Sequence, residues 1–338
     1  MSGSIILGIE SSCDDTSAAI ISGNKILSNV AANQEIHNEY GGVVPELASR
    51  AHQQNIIPVV EKAFSKANIQ QNDICAIGFT RGPGLLGSLL VGTSFAKSLA
   101  MSLDVPLIEV NHLQAHILAH FIDDANPISP TFPFLCLTVS GGHTMIVLVK
   151  DYFEMEIIVK TIDDAAGEAF DRIGKIFDLD YPAGPIIDKL AKEGNPDAFQ
   201  FNKPRMENYD YSFSGIKTSV LYFIQKEVRK NPDFIKENLN DLCASVQKSI
   251  IEILMNKLEK ASVDLNIKDV AIAGGVSANS ALRKAMEHNQ EKLGWNIFIP
   301  KFEYTTDNAA MIAMVAKLKY ERGEFTDIRT TATAKYDL

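Results

Sequence analysis

Cysteine is scarce and scattered. The four residues Cys13, Cys75, Cys136 and Cys243 contain no C-x-x-C pair, which fits reduced thiols in a cytosol better than a disulfide framework or a thiolate zinc site. Long hydrophobic runs are missing too: no stretch approaches the roughly 18–20 apolar residues that span a membrane. Residues 1–20 lack a basic n-region, a continuous apolar h-region and a small-residue cleavage site, so no signal peptide is expected. Positive charge is in deficit, with 32 Lys and Arg against 42 Asp and Glu for a net charge of −10. That argues against a protein that coats nucleic acid electrostatically, but not against a local basic groove or a basic partner subunit. Low-complexity tracts are absent. What remains, 338 residues with 46% hydrophobic and 22% charged, suits two globular domains, each with its own core.

Two stretches repeat one plan. Ser4–Glu10 reads as a strand, Ser11–Asp15 as a turn, Thr16–Ile21 as a strand, and Gly23-Asn24 as a turn into Lys25–Val30. About 130 residues later, Phe134–Val139, the turn Ser140-Gly141-Gly142, a β-branched run to Lys150 and Glu154–Val159 repeat the pattern. A duplicated domain is expected. Each unit opens with a polar tight turn that could offer backbone N–H groups to a phosphate.

Between and after these units, periodicity predicts helices through Arg50, over Ile56–Ala67, from Gly87 to about Ser102, over 163–174 and over Asp241–Ser262. Strands are predicted at Asp73–Phe79, Val105–Val110 and Asp269–Ala273. Gly82-Pro-Gly84-Leu-Leu-Gly87 matches G-x-G-x-x-G, with Glu109 about 22 residues beyond. It follows a meander and helices rather than opening a βαβ unit, so a tight structural turn is the better reading than a dinucleotide site. His112 and His116, four apart, share a helix face and can chelate a metal, whereas His120 drifts round it; exposed or core histidines are the bland alternative. Leu113 stands where H-E-x-x-H needs its glutamate, which disfavours a metalloprotease. Asp164, Glu168 and Asp171 align along one helix face, equally a solvated face. Lys203, Arg205 and Lys217 surround Tyr209, Tyr211 and Phe213, a pattern for single-stranded nucleic acid or for a packed loop. Gly274-Gly275 between a strand and a helix has anion-site geometry. Asp307 or Asn308 is an N-cap for Ala309–Tyr320.

Taken in order, these pieces resemble the tRNA threonylcarbamoyladenosine transferase (TsaD) family, once called O-sialoglycoprotein endopeptidases. The resemblance covers nearly the whole chain. It rests on Gly8-Ile-Glu10-Ser-Ser-Cys13-Asp-Asp-Thr16, Gly41–Arg50, Arg81–Ser88, Asn111-His112 with His116, Val139–Thr144, Asp163–Asp171, Ser212–Thr218, Gly274–Asn279 and Thr306-Asp307-Asn308. It implies an α/β fold of the actin/Hsp70/hexokinase-like (ASKHA) class, with duplicated ribonuclease-H-like lobes around a nucleotide cleft. The lobes are expected at 1–115 plus 308–338 and at 116–307. It implies one divalent metal, iron or zinc, on His112, His116 and Asp307. Thr138, Val139, Ser140, Gly141 and Gly142 would line the substrate's phosphate and acyl end, and Asp171, Gly184, Asp188 and Asn279 its adenosine. Two departures are Gln114-Ala115 between the histidines, which removes any acid at 114, and Glu10-Ser11-Ser12-Cys13 where relatives often have Glu-Thr-Ser-Cys.

The implied reaction moves threonylcarbamoyl from threonylcarbamoyl-AMP to the exocyclic amine of the adenosine 3′ of the anticodon in tRNAs reading ANN codons. Glu10, ending the first strand, is the candidate general base, or else a carboxylate that orders the first turn. Family members in bacteria work in the cytoplasm with a pseudo-enzyme paralogue and a small ATPase, and no membrane is involved. The alternatives are a non-catalytic nucleotide-binding regulatory subunit, a sugar kinase on the same fold, and a glycoprotease.

Overall fold

The computed structural model describes residues 3–338 except 33, 35–36, 38–39, 124–127 and 203–209. The chain divides into two compact units, residues 1–130 with 300–338, and 131–299. The boundaries thus fall at 130/131 and 299/300, where the resemblance set them at 115/116 and 307/308. The shift brings His116 and Asp307 into the first unit, because the helix carrying His116 packs on the helix that follows Asp307.

The first unit is built on β1 (Ile5–Glu10), β2 (Thr16–Ser22), β3 (Lys25–Ala32), β4 (Ala76–Gly82) and β5 (Leu107–Asn111), ordered β3-β2-β1-β4-β5. The meander pairs antiparallel, while β1–β4 and β4–β5 are parallel. Parallel pairing needs crossovers, supplied by α1 (Pro45–Ala67) and α2 (Leu86–Leu103). The sequence predicts α1 as two pieces, yet it runs unbroken through Pro58. Pro58 lies on the exposed face while Ile56, Val59, Val60 and Ala63 are buried, so the carbonyl it leaves unpaired faces water. Against expectation, α2 has the length and composition of a membrane span, 18 residues at mean hydropathy 1.3, with a third of it buried. Its buried side, Leu89, Gly92, Ala96 and Ala100, serves the packing on α1 and β4.

The other face of this sheet is covered by α9 (Ala309–Glu321), nearly all of it buried. Close approach is possible because two strand positions have no side chain. A Cβ at Gly8 would lie 2.6 Å from the Ala309 carbonyl oxygen, and one at Gly78 would lie 2.3 Å from the Ala316 Cβ.

The second unit repeats the plan with β6 (Phe134–Val139), β7 (Thr144–Asp151), β8 (Glu154–Lys160), β9 (Asp269–Ala273) and β10 (Asn296–Phe298), ordered β10-β9-β6-β7-β8. Read from the meander outwards, the two orders are the same, which bears out the duplication. Its helices are α4 (Ala166–Ile176), α5 (Ala183–Ala191), α6 (Ser214–Val228), α7 (Phe234–Leu265) and α8 (Ser280–Leu293). The helix predicted from 163 begins at Ala166, because the Thr144 hydroxyl accepts from the Ala166 N–H at 2.9 Å and sets the first turn. α7 extends the predicted 241–262 in both directions, with one non-helical residue at Asn238.

Candidate metal centre and glycine turn

In the first unit, α3 (His112–Leu118) starts directly from the end of β5. Asn111 caps it, its Oδ1 accepting from Leu113 N at 2.9 Å and Gln114 N at 3.2 Å. One turn of helix then puts His112 and His116 side by side, ring centroids 4.7 Å apart. His120 lies beyond α3 in a short 3₁₀ turn and is fully buried, outside this pair. The third group comes from far along the chain. Asn308, not Asp307, caps α9 through Met311 N, which leaves the Asp307 carboxylate free to meet both rings. Its Oδ1 lies 3.0 Å from His116 Nε2 and 3.3 Å from His112 Nε2.

Glu10 completes the centre from β1. It is fully buried; its Oε2 lies 3.0 Å from His112 Nδ1 and accepts from the Thr80 hydroxyl at 2.7 Å, while its Oε1 accepts from Ser12 N. Burial alone would raise its pKa, but His112 reverses the sign and holds it below the usual carboxylate range. For His112, burial opposes charge, and the carboxylates of Asp307 and Glu10 overcome it, raising the imidazole well above its ordinary value. Asp307, only partly buried, is likewise held well down against desolvation, chiefly by His112.

The donor set is one that a divalent metal could use. One ligand atom each from His112, His116 and Asp307 falls within 4.8 Å of the others, and N/N/O donors suit zinc or iron. Because Glu10 takes Nδ1 of His112, Nε2 is the atom left to offer a metal, the usual division for a histidine backed by a carboxylate. His116 Nδ1 is buried without a hydrogen-bond partner among the described residues.

The turn after β1 offers a phosphate less than the sequence suggests. Ser12 N is spent on Glu10 and Ser12 carbonyl accepts from Leu85 N at 2.7 Å. The neighbourhood is acidic: Asp15 is pushed up to about 7 by burial, then by Asp14, Asp307 and Glu10. A Cβ at Gly84 would lie 2.4 Å from the Ser12 carbonyl, so the Gly82–Gly87 glycines serve close packing, the structural reading.

In the second unit, the turn after β6 is open. Ser140 N donates to His143 carbonyl at 2.8 Å and His143 N to Ser140 Oγ at 3.1 Å, closing the loop at its base. Gly141 and Gly142 are exposed, and their amides have no hydrogen-bond partner among the described residues. Thr138 and Val139 are fully buried beneath. Gly274, at φ +86°, sits where a Cβ would be 2.5 Å from the Val139 carbonyl. The other predicted contacts already carry structural work. Asp171 Oδ1 accepts from Ala183 N at 2.8 Å, with Gly184 N a second donor, and burial still raises its pKa. Asp188 Oδ1 accepts from Ser280 N and Oγ at 3.1 and 2.7 Å, and Asn279 caps α8 while donating to Gln247 at 2.7 Å.

The acidic face is split. Asp164 and Glu168 both pair with Arg172, at 3.1 and 2.5 Å, apart from Asp171. Of the basic and aromatic group, Lys203, Arg205 and Tyr209 lie outside the described residues. Tyr211 and Phe213 are fully buried, the Tyr211 hydroxyl donating to Leu254 carbonyl at 3.0 Å, so neither is a stacking platform. Three residues escaped the sequence reading. Thr80 carried no signal; Asn111 stood at a helix start as an N-cap type; Asp163 turns out to gather Ser212 Oγ, Phe213 N and Ser214 Oγ at 2.6–2.8 Å.

Comparison with known proteins follows the same lines. A family model described as tRNA N6-adenosine threonylcarbamoyltransferase (TsaD) matches residues 25–314. A relative from Riemerella anatipestifer with that description is 83% identical over 338 residues, covering 100% of this chain and 99% of its own. One from Christiangramia forsetii is 61% identical over 331 residues, covering 98% and 97%. Among solved structures, the ROK hexokinase from Thermus thermophilus aligns with a TM-score of 0.52 at 14% identity, over 94% of this chain and 100% of that one. At that identity the likeness concerns the fold, which is the actin/Hsp70/hexokinase-like class.

Proposed function

The chain belongs to the tRNA N6-adenosine threonylcarbamoyltransferase family, and from that premise we propose that it transfers threonylcarbamoyl from threonylcarbamoyl-AMP to the exocyclic amine of the adenosine 3′ of the anticodon in tRNAs reading ANN codons. AMP is the leaving group. The observation that carries the reading is the convergence of His112, His116 and Asp307, with Glu10 behind His112.

These residues would hold one divalent iron or zinc ion. When bound, such an ion supplies a Lewis acid that orients and polarises the acyl group. Glu10 fixes the His112 tautomer, and its complete burial suits that work better than proton abstraction from a tRNA base. In the second unit, the free amides of Gly141 and Gly142 would stabilise charge gathering on the departing phosphate. Asp171, Gly184, Asp188 and Asn279 would frame the adenosine. The amine is a poor nucleophile because its lone pair is delocalised into the purine, so activation falls mainly on the carbonyl.

The charge of −10 implies that tRNA binding is shared, and the reading includes a pseudo-enzyme paralogue and a small ATPase as cytoplasmic partners. The test is nucleoside mass spectrometry on tRNA from cells depleted of this protein and resupplied with wild type or Asp307→Ala. Loss of threonylcarbamoyladenosine, restored by wild type alone, is the expected result. Rescue by both proteins would remove the metal assignment. Unchanged modification, with no redundant paralogue present, would overturn the function.

A further inference from the structure

The segment after α9 folds back across the first unit. Thr326 N donates to Leu107 carbonyl at 2.8 Å, and its hydroxyl accepts from Glu109 N at 2.7 Å. Thr333 N donates to Arg81 carbonyl at 2.9 Å and Gly84 N to Ala334 carbonyl at 3.2 Å. Tyr336 is then clamped from two sides. Its hydroxyl donates to Glu109 Oε1 at 3.0 Å, and the Arg81 guanidinium, paired with Glu109 at 2.9 Å, lies 4.9 Å from its ring centroid.

The clamp has one outlet. Asn111 Nδ2 donates to the carbonyls of Tyr336 and Asp337 at 3.3 and 2.8 Å, while its Oδ1 caps α3. With carbonyls on one side and amides on the other, the buried Asn111 side chain has a single satisfying orientation. The next residue is His112.

We propose that residues 326–337 are a strap that positions the metal-binding helix, with Asn111 as the joint and Tyr336 as its anchor. The proposal rests on the reading of His112, His116 and Asp307 as metal ligands. A cap that cannot rotate fixes the first turn of α3, and so the direction in which His112 presents Nε2. Without the strap, Asn111 can turn its amide and α3 can fray from its N-terminus, because a helix of this length has little stability of its own. Tyr336 and Asn111 are therefore positioning residues, outside the ligand set.

The test measures Zn²⁺ affinity of the full chain by competition with a chromophoric chelator, alongside amide hydrogen exchange at Leu113 and Gln114. The variants are a stop after Lys335, Tyr336→Ala, Tyr336→Phe, and Asn111→Ser, which keeps a capping oxygen but has no second donor. The stop variant, Tyr336→Ala and Asn111→Ser are expected to weaken Zn²⁺ binding about tenfold, the low end of the range for outer partners of a metal site. The first two should also speed exchange at both amides, and Tyr336→Phe, which keeps the ring under Arg81, should lie between them and wild type. Affinity within twofold of wild type in the stop variant and Asn111→Ser would overturn the strap, whatever the exchange rates. A global melt is recognised by exchange rising equally in β1 and β4, and an affinity loss seen only with that melt would also overturn it. Failure of the metal reading looks different: wild type and His112→Ala would bind Zn²⁺ equally weakly, and both ideas would fall.

Discussion

The two units share a strand order, and they treat the first turn of that plan in opposite ways. After β1 the turn is filled: Glu10, Ser12 and Thr80 hydrogen-bond among themselves and with His112, and acids crowd the site. After β6 the turn is empty: Gly141 and Gly142 carry no side chain, and a Cβ at either would meet nothing within 4 Å. One copy has become a support for charged ligand atoms and the other a presenter of bare amides. Duplication supplied the same strand order twice, and the two first turns differ in length, 11–15 against 140–143, as well as in side-chain content.

The sharpest way to break this contrast is to remove the carboxylate that the filled turn serves. Asp307→Ala leaves two histidines and no anionic ligand, and it is expected to lose stoichiometric metal and at least about 100-fold in single-turnover transfer. Elemental analysis and the transfer assay on one preparation check it. The glycines come next. Gly274→Ala puts a methyl into the Val139 carbonyl at a left-handed φ and should cost about 2–3 kcal/mol in denaturant unfolding. Gly142→Ala should change stability by less than about 0.5 kcal/mol while lowering transfer. Equal stability losses at both positions would show that the open turn is structural after all.

Glu10→Gln keeps the shape of the filled turn and removes its charge. Metal affinity should fall about 10–100-fold, with transfer recovering as metal is added. A rate defect that no metal concentration repairs would return Glu10 to the role of general base. The smallest effect concerns Asp163. Burial would raise its pKa, yet its hydrogen bonds from Ser212, Phe213 and Ser214 lower it. A carboxylate with a depressed folded pKa contributes stability above its unfolded value near 3.9, and loses it as pH falls through the folded pKa. Asp163→Asn should thus destabilise by about 1 kcal/mol at pH 7, a figure already reduced for its exposure. The gap to wild type should close in acid, as thermal melts from pH 7 to pH 2 would record.

Much of this was legible in the sequence, for reasons that can be named. The meanders carry strong β-branched runs and polar turns, so β1–β3 and β6–β8 emerge with their duplication. His112 and His116 announce a shared face by spacing alone. Asp307 does not, because 191 residues separate it from His116 and its local context reads as a helix cap; only the family resemblance nominated it. The start of α4 was missed for the same reason, since its first N–H is satisfied by Thr144, 22 residues earlier. Local pattern reports local hydrogen bonds. It is silent about Thr80 under Glu10, or the Tyr336 carbonyl against Asn111, because those partners meet only in the fold.

The seat of α9 on Gly8 and Gly78 has a consequence for metal choice. Asp307 immediately precedes the N-cap of that helix, whereas Glu10 ends the strand that bears Gly8. The span between the two carboxylates that flank His112 is therefore gauged by how closely a helix backbone can lie on a sheet with no methyl between them. Gly78→Ala, a change in the core and away from every ligand, would lift the helix and widen the coordination cage. With a metal held there as proposed, a neutral hydrophobic substitution would then be felt as altered discrimination among ions of different radius.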